Sequence, residues 1–215
     1  MLNAVLLIGP TGSGKSPLGN SLAATGLAGR RCHHFDFGEN LRRVALGDPA
    51  FTPGEIAYIH EVLTSGALLE DETFHIAEKI LGVFLAARGA GTDDLVVLNG
   101  LPRHKGQARA LASILTVRAV ILLACDAPTV HTRLTTNSGG DRTHRTDDDL
   151  ALVERKIATF TARTAPLTEF YRSLGVPVIT IPVGVDTTPD LIIPHIRAVT
   201  TPLPSNPATP GRRDA

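Results

Sequence analysis

The chain has 215 residues, of which 43% are hydrophobic and 20% are charged, and this composition predicts a single globular domain with an ordinary core. Lysine plus arginine equals aspartate plus glutamate at 21 each, which argues against a general binder of nucleic acids or membrane surfaces. Cys32 and Cys125 form no CxxC pair, which disfavours a zinc site or a disulfide, and no apolar run approaches the roughly 20 residues of a membrane span.

Five short apolar runs are typical of buried strands. They span residues 4–8, 32–36, 95–98, 117–124 and 176–181, and stretches of helical length and period lie at 71–87, 104–115 and 147–174. Because strands that alternate with helices form a parallel sheet covered on both faces, we predict an α/β three-layer sandwich with a central five-stranded parallel sheet. This domain is predicted to span 1–199, with a disordered proline-rich tail at 200–215. The N-terminus shows no secretion signal, so the cytoplasm is the expected compartment.

The first apolar run leads directly into a glycine-rich loop. Residues 9–16 read Gly-Pro-Thr-Gly-Ser-Gly-Lys-Ser, and a helical stretch follows, which is the setting that a phosphate-binding loop requires. Glycines let successive backbone N–H groups curve around an anion, and the start of the helix adds its dipole. Lys15 can reach the β- and γ-phosphates of a nucleoside triphosphate, and the Ser16 hydroxyl can bind Mg2+. The triphosphate is expected to contact Gly9, Thr11, Gly12, Ser13, Gly14, Lys15, Ser16 and Pro17.

Several further motifs follow in order along the chain. Phe37-Gly-Glu-Asn-Leu-Arg42 comes after the second predicted strand, and Ser65-Gly-Ala-Leu-Leu-Glu-Asp-Glu72 and Asn99-Gly-Leu-Pro-Arg-His-Lys-Gly-Gln107 come next. The later motifs are Arg133-Leu134, Arg142-Thr-His-Arg145-Thr-Asp-Asp148, Arg155-Lys156 and Thr164-Ala-Pro-Leu167. Together with the phosphate-binding loop, this series resembles the adenylate kinase family of nucleoside monophosphate kinases from about Leu2 to Ile181.

The resemblance implies an enzyme that transfers the γ-phosphate of ATP to a nucleoside monophosphate, with Mg2+ as cofactor. It implies a helical monophosphate-binding arm at 37–72 and a short lid without a zinc-binding insert at 135–146. The residues implied to bind the acceptor are Asp36, Phe37, Arg42, Leu69, Gly100, Arg103 and Gln107. Arg42 and Arg103 would hold its phosphate, and Gln107 would hydrogen-bond its base. The partners implied are the two nucleotides alone, without nucleic acid or membrane, and the expected assembly is a monomer.

Phosphoryl transfer requires positioning and charge neutralisation more than covalent chemistry from the protein. Cationic side chains from the loop, the arm and the lid would offset the repulsion between the two phosphate chains. The resemblance implies that these groups are Lys15, Arg103, Arg133, Arg142, Arg145 and Lys156. Among them, Arg133 would also lie against the base of the triphosphate.

Four positions depart from the family pattern. Asn99 stands where the family has an acidic residue that organises the Mg2+ waters, so the metal is expected at Ser16 with either Asn99 or Asp36 acting through water. Phe37 replaces a small or hydroxylated residue that faces the acceptor's base, and its ring either stacks on the acceptor or packs inward. Asn137 and Lys156 stand where arginines are usual, and a lysine offers a point charge in place of a planar fork.

These departures leave two further hypotheses open beside the nucleoside monophosphate kinase. The first is a kinase of the same fold that phosphorylates another small acceptor, to which Phe37 and Asn99 would be suited. The second is a nucleotide-binding regulatory protein whose catalysis has decayed, as the losses at Asn99 and Asn137 would suggest.

Overall fold

The computed structural model describes residues 1–140 and 150–200. Its strands are β1 (Leu2–Ile8), β2 (Cys32–Asp36), β3 (Leu95–Asn99), β4 (Leu115–Ala124) and β5 (Val178–Pro182). Within the described residues they form one parallel sheet in the order β2-β3-β1-β4-β5. The predicted α/β fold with a central five-stranded parallel sheet is confirmed, and each predicted strand lies within two residues of its observed ends.

Helices connect the strands. Their bounds are α1 (Lys15–Thr25), α2 (Phe37–Ala45), α3 (Pro53–Ser65), α4 (Phe74–Arg88), α5 (Lys105–Leu111), α6 (Ala127–Thr135), α7 (Leu150–Thr159), α8 (Leu167–Ser173) and α9 (Pro189–Thr200). A 3-10 turn at Asp71–Thr73 precedes α4, and a π-helical turn at Phe160–Thr164 directly follows α7.

The alternation of side chains along β1 builds a core on each face of the sheet. Leu6 and Ile8 belong to a cluster that includes residues of α4, α5 and α8. Val5 and Leu7 point to the opposite face, where the cluster includes residues of α1 and α9. This alternation is the period of two that a β-strand imposes, and a strand buried on both faces therefore reads as a continuous apolar run.

The helical stretch predicted at 147–174 is divided in the structure. The backbone widens at Phe160–Thr164, where the Ala165 N–H donates to the Phe160 carbonyl five residues earlier at 2.8 Å. Pro166 follows and has no N–H with which to continue a regular helix, so α8 starts after it. The helix predicted at 104–115 is also shorter than expected, because β4 already begins at Leu115.

The sequence carries readable signals for α3, which lies inside the helical arm implied at 37–72, and for α9, for which no helix was predicted. Thr52 and Glu55 form a reciprocal capping box at the start of α3. Ile192, Ile193 and Ile196 bury one face of α9 at helical spacing, although Pro194 lies inside that helix. No helix in the described ranges has both the length and the apolar character needed to cross a membrane.

Candidate active site

The loop between β1 and α1 is shaped to enclose an anion. Gly12 and Gly14 have φ angles of +76° and +91°, which other residues rarely adopt, and a side chain at Gly9 would lie 2.9 Å from the Leu123 carbonyl. Lys15 opens α1, and its ammonium group donates to the carbonyls of Gly9 and Pro10 at 2.7 and 2.6 Å. The lysine thus lies along the loop, and the helix start adds N–H groups and a positive dipole end. This cradle fits the phosphates of a nucleoside triphosphate.

A hydroxyl, a carboxylate and an amide meet beside this loop. The Ser16 hydroxyl donates to Asp36 Oδ2 at 2.6 Å, and Asn99 Nδ2 donates to the same oxygen at 2.8 Å. Oxygen ligands of this kind suit Mg2+, which is usually held by one or two carboxylates together with substrate phosphates. The described residues contain no group of three or more His, Cys, Asp or Glu that could hold a metal by itself. The residues present therefore fit a magnesium ion that arrives with the nucleotide, with Ser16 and Asp36 as the groups that would face it.

The loop and two predicted phosphate-binding arginines line one cavity. Lys15 and Ser16 border it with Arg42 from α2 and Arg103 from the β3–α5 connection, and Lys156 of α7 borders it as well. Arg103 Nε donates to the Gly100 carbonyl at 3.0 Å, which holds the guanidinium at the end of β3. Burial lowers the pKa of Arg103, and the neighbouring Asp36 carboxylate acts against that shift. An arginine stays charged at neutral pH in any case, so it brings a fixed positive charge to the cavity.

Residues that the sequence analysis did not assign to the site form a further part of the cavity wall. Val62 and Leu63 come from α3, and Gly66, Ala67 and Leu68 come from the segment that follows it. Thr159 and Phe160 come from α7 and the π-helical turn on the other side. The capping box at the start of α3 is a sequence signal that could have predicted this helix. A helix in the arm presents one face to the cavity, so its apolar residues are candidates for the cavity wall.

Phe37 does not line this cavity. Its ring is 3% exposed, lies 6.0 Å from the Phe35 ring between centroids, and belongs to the core on the α4 side of the sheet. Asp36 is the N-cap of α2, so Phe37 is the first residue of that helix and turns toward the sheet. Of the two alternatives left open by the sequence, the inward-packed one is found, and the assignment of Phe37 as an acceptor-binding residue is corrected.

Leu69 and Gln107 bind each other instead of lining the cavity. Gln107 Nε2 donates to the Leu69 carbonyl at 2.7 Å, and Gln107 Oε1 accepts from the Arg103 N–H at 2.7 Å. The Gln107 residue is 1% exposed, and His104 Nε2 also lies 3.1 Å from the Leu69 carbonyl. A role for either residue in binding the acceptor's base stays a prediction, and it requires this hydrogen bond to open.

Arg133 of α6 is buried beneath the phosphate-binding loop. Its Nε donates to the Gly12 carbonyl at 3.0 Å, and its Nη1 lies within 3.1 Å of the carbonyls of Gly184, Val185 and Thr187. Only 4% of the residue is exposed. In this arrangement Arg133 ties the loop to the β5–α9 connection, and its predicted contact with the base of the triphosphate stays a prediction.

Not every predicted lid residue can be placed. Arg142 and Arg145 lie outside the described residues, as do the second half of the predicted lid at 135–146 and nearly all of the predicted tail. Asn137 follows α6 with a φ angle of +49°. Beyond the lid, Arg163 of the π-helical turn forms two hydrogen bonds to Glu70, at 3.1 and 2.8 Å, and Thr164 Oγ1 donates to the Arg103 carbonyl at 2.8 Å. These bonds connect the segment after the lid to the predicted arm and to the β3–α5 connection.

Comparison with known proteins gives one consistent result. The chain is 30% identical over 178 residues to the adenylate kinase of Xanthomonas campestris pv. campestris (strain B100), a match that covers 80% of this chain and 86% of the relative. It is 28% identical over 181 residues to the adenylate kinase of Synechococcus sp. (strain CC9311) and 27% identical over 182 residues to that of Prochlorococcus marinus (strain MIT 9211). These two matches cover 81% and 82% of this chain, and 87% of each relative. No protein-family model matches the chain.

The relatives, the parallel sheet and the loop beside β1 agree with one another. The match extends over about four fifths of the chain. The chain therefore belongs to the adenylate kinase family, and it is an ATP-dependent phosphotransferase, a nucleoside monophosphate kinase that uses ATP and Mg2+.

Proposed function

We propose that this enzyme transfers the γ-phosphate of ATP to AMP. The observation that carries the proposal is the single cavity that Lys15 borders together with Arg42 and Arg103. A triphosphate held by the loop and a monophosphate held by the two arginines would meet end to end in it, with cationic groups around the transferred phosphoryl group. The acceptor oxygen of a monophosphate is already ionised at neutral pH, so no side-chain base is required.

The position of Phe37 supports an ordinary purine acceptor. A ring in the cavity would have reshaped the base pocket, but Phe37 packs in the core and leaves the cavity to Val62, Leu63 and Leu68. These side chains offer an apolar wall against which a flat base can lie. The relatives that the chain matches are all named adenylate kinase, which favours adenine as that base.

The hydrogen bond between Leu69 and Gln107 supports the same choice. A backbone carbonyl and an amide N–H side by side complement an edge that carries an amino donor next to a ring-nitrogen acceptor. Adenine and cytosine have that order of groups on their pairing edges, whereas guanine and uracil have the reverse. Opening the 2.7 Å bond between the two residues would free both partners for the base. AMP is therefore the expected acceptor, and CMP is its competitor.

A coupled assay with ATP and a panel of ribo- and deoxyribonucleoside monophosphates tests this proposal. The expected result is the highest kcat/KM with AMP, a lower value with CMP, and little transfer to GMP or UMP. Saturating activity on GMP or UMP would contradict the assignment of Leu69 and Gln107. Absence of transfer to every acceptor would reject the proposed reaction and favour a protein that binds nucleotides without turning them over.

The Gln107→Met variant separates base recognition from phosphate recognition. Methionine has a similar length but no amide, so kcat/KM for AMP should fall roughly 10- to 100-fold, as expected when a buried polar partner is lost. The KM for ATP should stay within about twofold, because the phosphate-binding loop does not contact Gln107. An equal loss for ATP and AMP would show that the side chain serves folding alone.

A further inference from the structure

Asp36 and Asn99 stand opposite each other at the ends of neighbouring strands. They are register partners in the parallel pairing of β2 with β3, and both border the cavity beside Ser16. The family that the chain resembles has an acidic residue at the position of Asn99. In this chain the carboxylate is that of Asp36 at the end of β2, and the Asn99 amide stands at the end of β3 where the family has the acid.

The contacts of Asn99 explain why that residue is neutral. Its amide nitrogen lies 2.8 Å from Asp36 Oδ2, 3.1 Å from Ser16 Oγ and 3.5 Å from His34 Nε2. His34 Nδ1 lies 2.8 Å from Asn20 Oδ1, so the ring donates there and presents Nε2 as an acceptor. An amide N–H can donate into this ring of acceptors, whereas a carboxylate at position 99 would face Asp36 at hydrogen-bond distance with no proton to share.

The contacts of Asp36 show that its two oxygens have different tasks. Oδ1 accepts from the Glu39 N–H at 3.0 Å and so caps α2. Oδ2 receives the Ser16 hydroxyl and the Asn99 amide. The cap fixes the side chain, and the second oxygen is thereby held next to the hydroxyl that is expected to bind Mg2+.

We propose that Asp36 supplies the carboxylate that organises Mg2+ in this enzyme, and that Asn99 is the neutral partner which holds it in place. The carboxylate stands at the end of β2, and not at the end of β3 as in the family pattern, but it belongs to the same cluster around Ser16. The proposal rests on ATP binding as assigned above, and it removes Asn99 as a sign of decayed catalysis. Asp36 acts here as a positioning residue for the metal and its ligands, not as a group that reacts.

The Asp36→Asn variant removes the charge and leaves the helix cap. Asparagine caps a helix as well as aspartate does, and its Oδ1 can still accept from the Glu39 N–H. The measurement is the dissociation constant of Mn2+ from the protein in complex with the non-hydrolysable β,γ-imido analogue of ATP, followed by the electron paramagnetic resonance signal of free Mn2+. Mn2+ prefers the same oxygen ligands as Mg2+. We expect the variant to bind Mn2+ roughly 10-fold to 100-fold more weakly.

The double variant Asp36→Asn with Asn99→Asp returns the carboxylate to β3. The asparagine amide would then donate across the strands in the opposite direction, at the 2.8 Å separation that the side chains have now. We expect Mn2+ affinity to recover to within about threefold of the original protein, because the charge stays in the same cluster. Failure of the double variant to recover, with its fold intact, would overturn the relocation.

A matched control is available on α6. Asp126 also caps a helix, through its bond from the Thr129 N–H at 2.8 Å, but it does not border the cavity. The Asp126→Asn variant should leave Mn2+ affinity unchanged. The inference would be refuted if the Asp36→Asn variant bound Mn2+ with the same affinity as this control. Should Asp36→Asn fail to fold, Asp36→Ser provides a second uncharged cap for the same measurement.

The readout separates this inference from the proposed reaction. Mn2+ binding to the nucleotide complex requires no acceptor, so an incorrect assignment of AMP would not alter the expected result. Conversely, an unaltered Mn2+ affinity in the Asp36→Asn variant would overturn the role of Asp36 while transfer to AMP continued.

Discussion

The two ends of the cavity differ in how far their binding groups are assembled. At the triphosphate end, the loop, Lys15 and the cluster of Ser16, Asp36 and Asn99 already border the open space. At the acceptor end, Arg42 and Arg103 border it as well, but Gln107 and the Leu69 carbonyl are buried and bonded to each other. Under the proposed function, the triphosphate thus meets groups that already border the cavity, whereas binding of the acceptor's base requires the bond between Gln107 and Leu69 to open.

This difference follows from where each group is attached. At the triphosphate end, Lys15 and Ser16 lie on the first turn of α1, and Asp36 and Asn99 are the last residues of β2 and β3, where neighbouring backbone fixes them. The groups proposed to recognise the base, Leu69 and Gln107, lie in the predicted arm and on α5, and the proposed function expects them to separate when the ligand binds. We therefore expect the phosphates to bind groups that are already in place, and the base to bind groups that rearrange with the ligand.

The largest expected effect is at the triphosphate end of the cavity. Lys15→Ala removes the cation that lies along the phosphate-binding loop, and phosphoryl transfer should fall at least about 100-fold, as for other preorganised charges that stabilise a transition state. The measurement is kcat in the coupled assay, with Lys105→Ala on the surface of α5 as the matched control. A loss smaller than about tenfold would contradict the assignment of Lys15.

The Arg103→Ala variant distinguishes the acceptor end of the cavity from the triphosphate end. Arg103→Ala should lower kcat/KM for the acceptor roughly 100-fold and change the KM for ATP by less than about threefold, since its guanidinium belongs to the acceptor side. Arg109→Ala, an exposed arginine on the neighbouring helix α5, is the control. Equal weakening of both substrates would mean that Arg103 bridges the two ends and does not serve one of them.

Phe37 belongs to neither end of the cavity, because its ring packs in the core. Phe37→Leu should destabilise the fold by about 1–2 kcal/mol, less than the 3–5 kcal/mol typical of truncating a buried phenylalanine to alanine. Steady-state constants for ATP and AMP should be unchanged. Urea unfolding and the coupled assay measure the two quantities, and a tenfold loss of AMP affinity at unchanged stability would return Phe37 to the acceptor site.

The smallest effect is expected at the ion pair between Glu70 and Arg163. The hydrogen bonds from Arg163 lower the pKa of Glu70, so the pair stabilises the fold above the ordinary carboxyl pKa and loses this effect as pH falls through the folded value. Both side chains are about half exposed, so Glu70→Gln should reduce the free energy of unfolding by no more than about 1 kcal/mol at pH 7. The difference should shrink at pH 4. A difference that grows toward acid would contradict the sign.

Local sequence was enough to predict the phosphate-binding loop at the triphosphate end. The spacing of Gly9, Gly14, Lys15 and Ser16 determines a loop whose backbone makes the site, and the apolar run before it marks the strand. The five strands were likewise predictable from apolar runs, most clearly β1, which ends in five consecutive buried residues, and β3, in which all five residues are buried. Asp36 was recognised as an alternative to Asn99, but only strand register shows that the two face each other.

The remaining residues depend on contacts between distant segments. Phe37 packs inward into a core cluster that includes residues of α4 and α5, which lie far along the chain. Arg133 bonds to carbonyls of the β5–α9 connection, some fifty residues later, and no local pattern indicates that. Gln107 pairs with Leu69 across 38 residues for the same reason. Side chains whose partners lie far along the chain were the ones that the sequence could not place.

The most direct test of the account is the binding of a compound in which two adenosines are joined by five phosphates. We expect one molecule per chain, bound at least about 100-fold more tightly than ATP or AMP, because one ligand then occupies both ends of the cavity. Calorimetry should show that both Lys15→Ala and Arg103→Ala weaken it, and that the saturated protein no longer binds AMP. Undiminished binding of AMP to the saturated protein would contradict a single cavity that holds two nucleotides end to end.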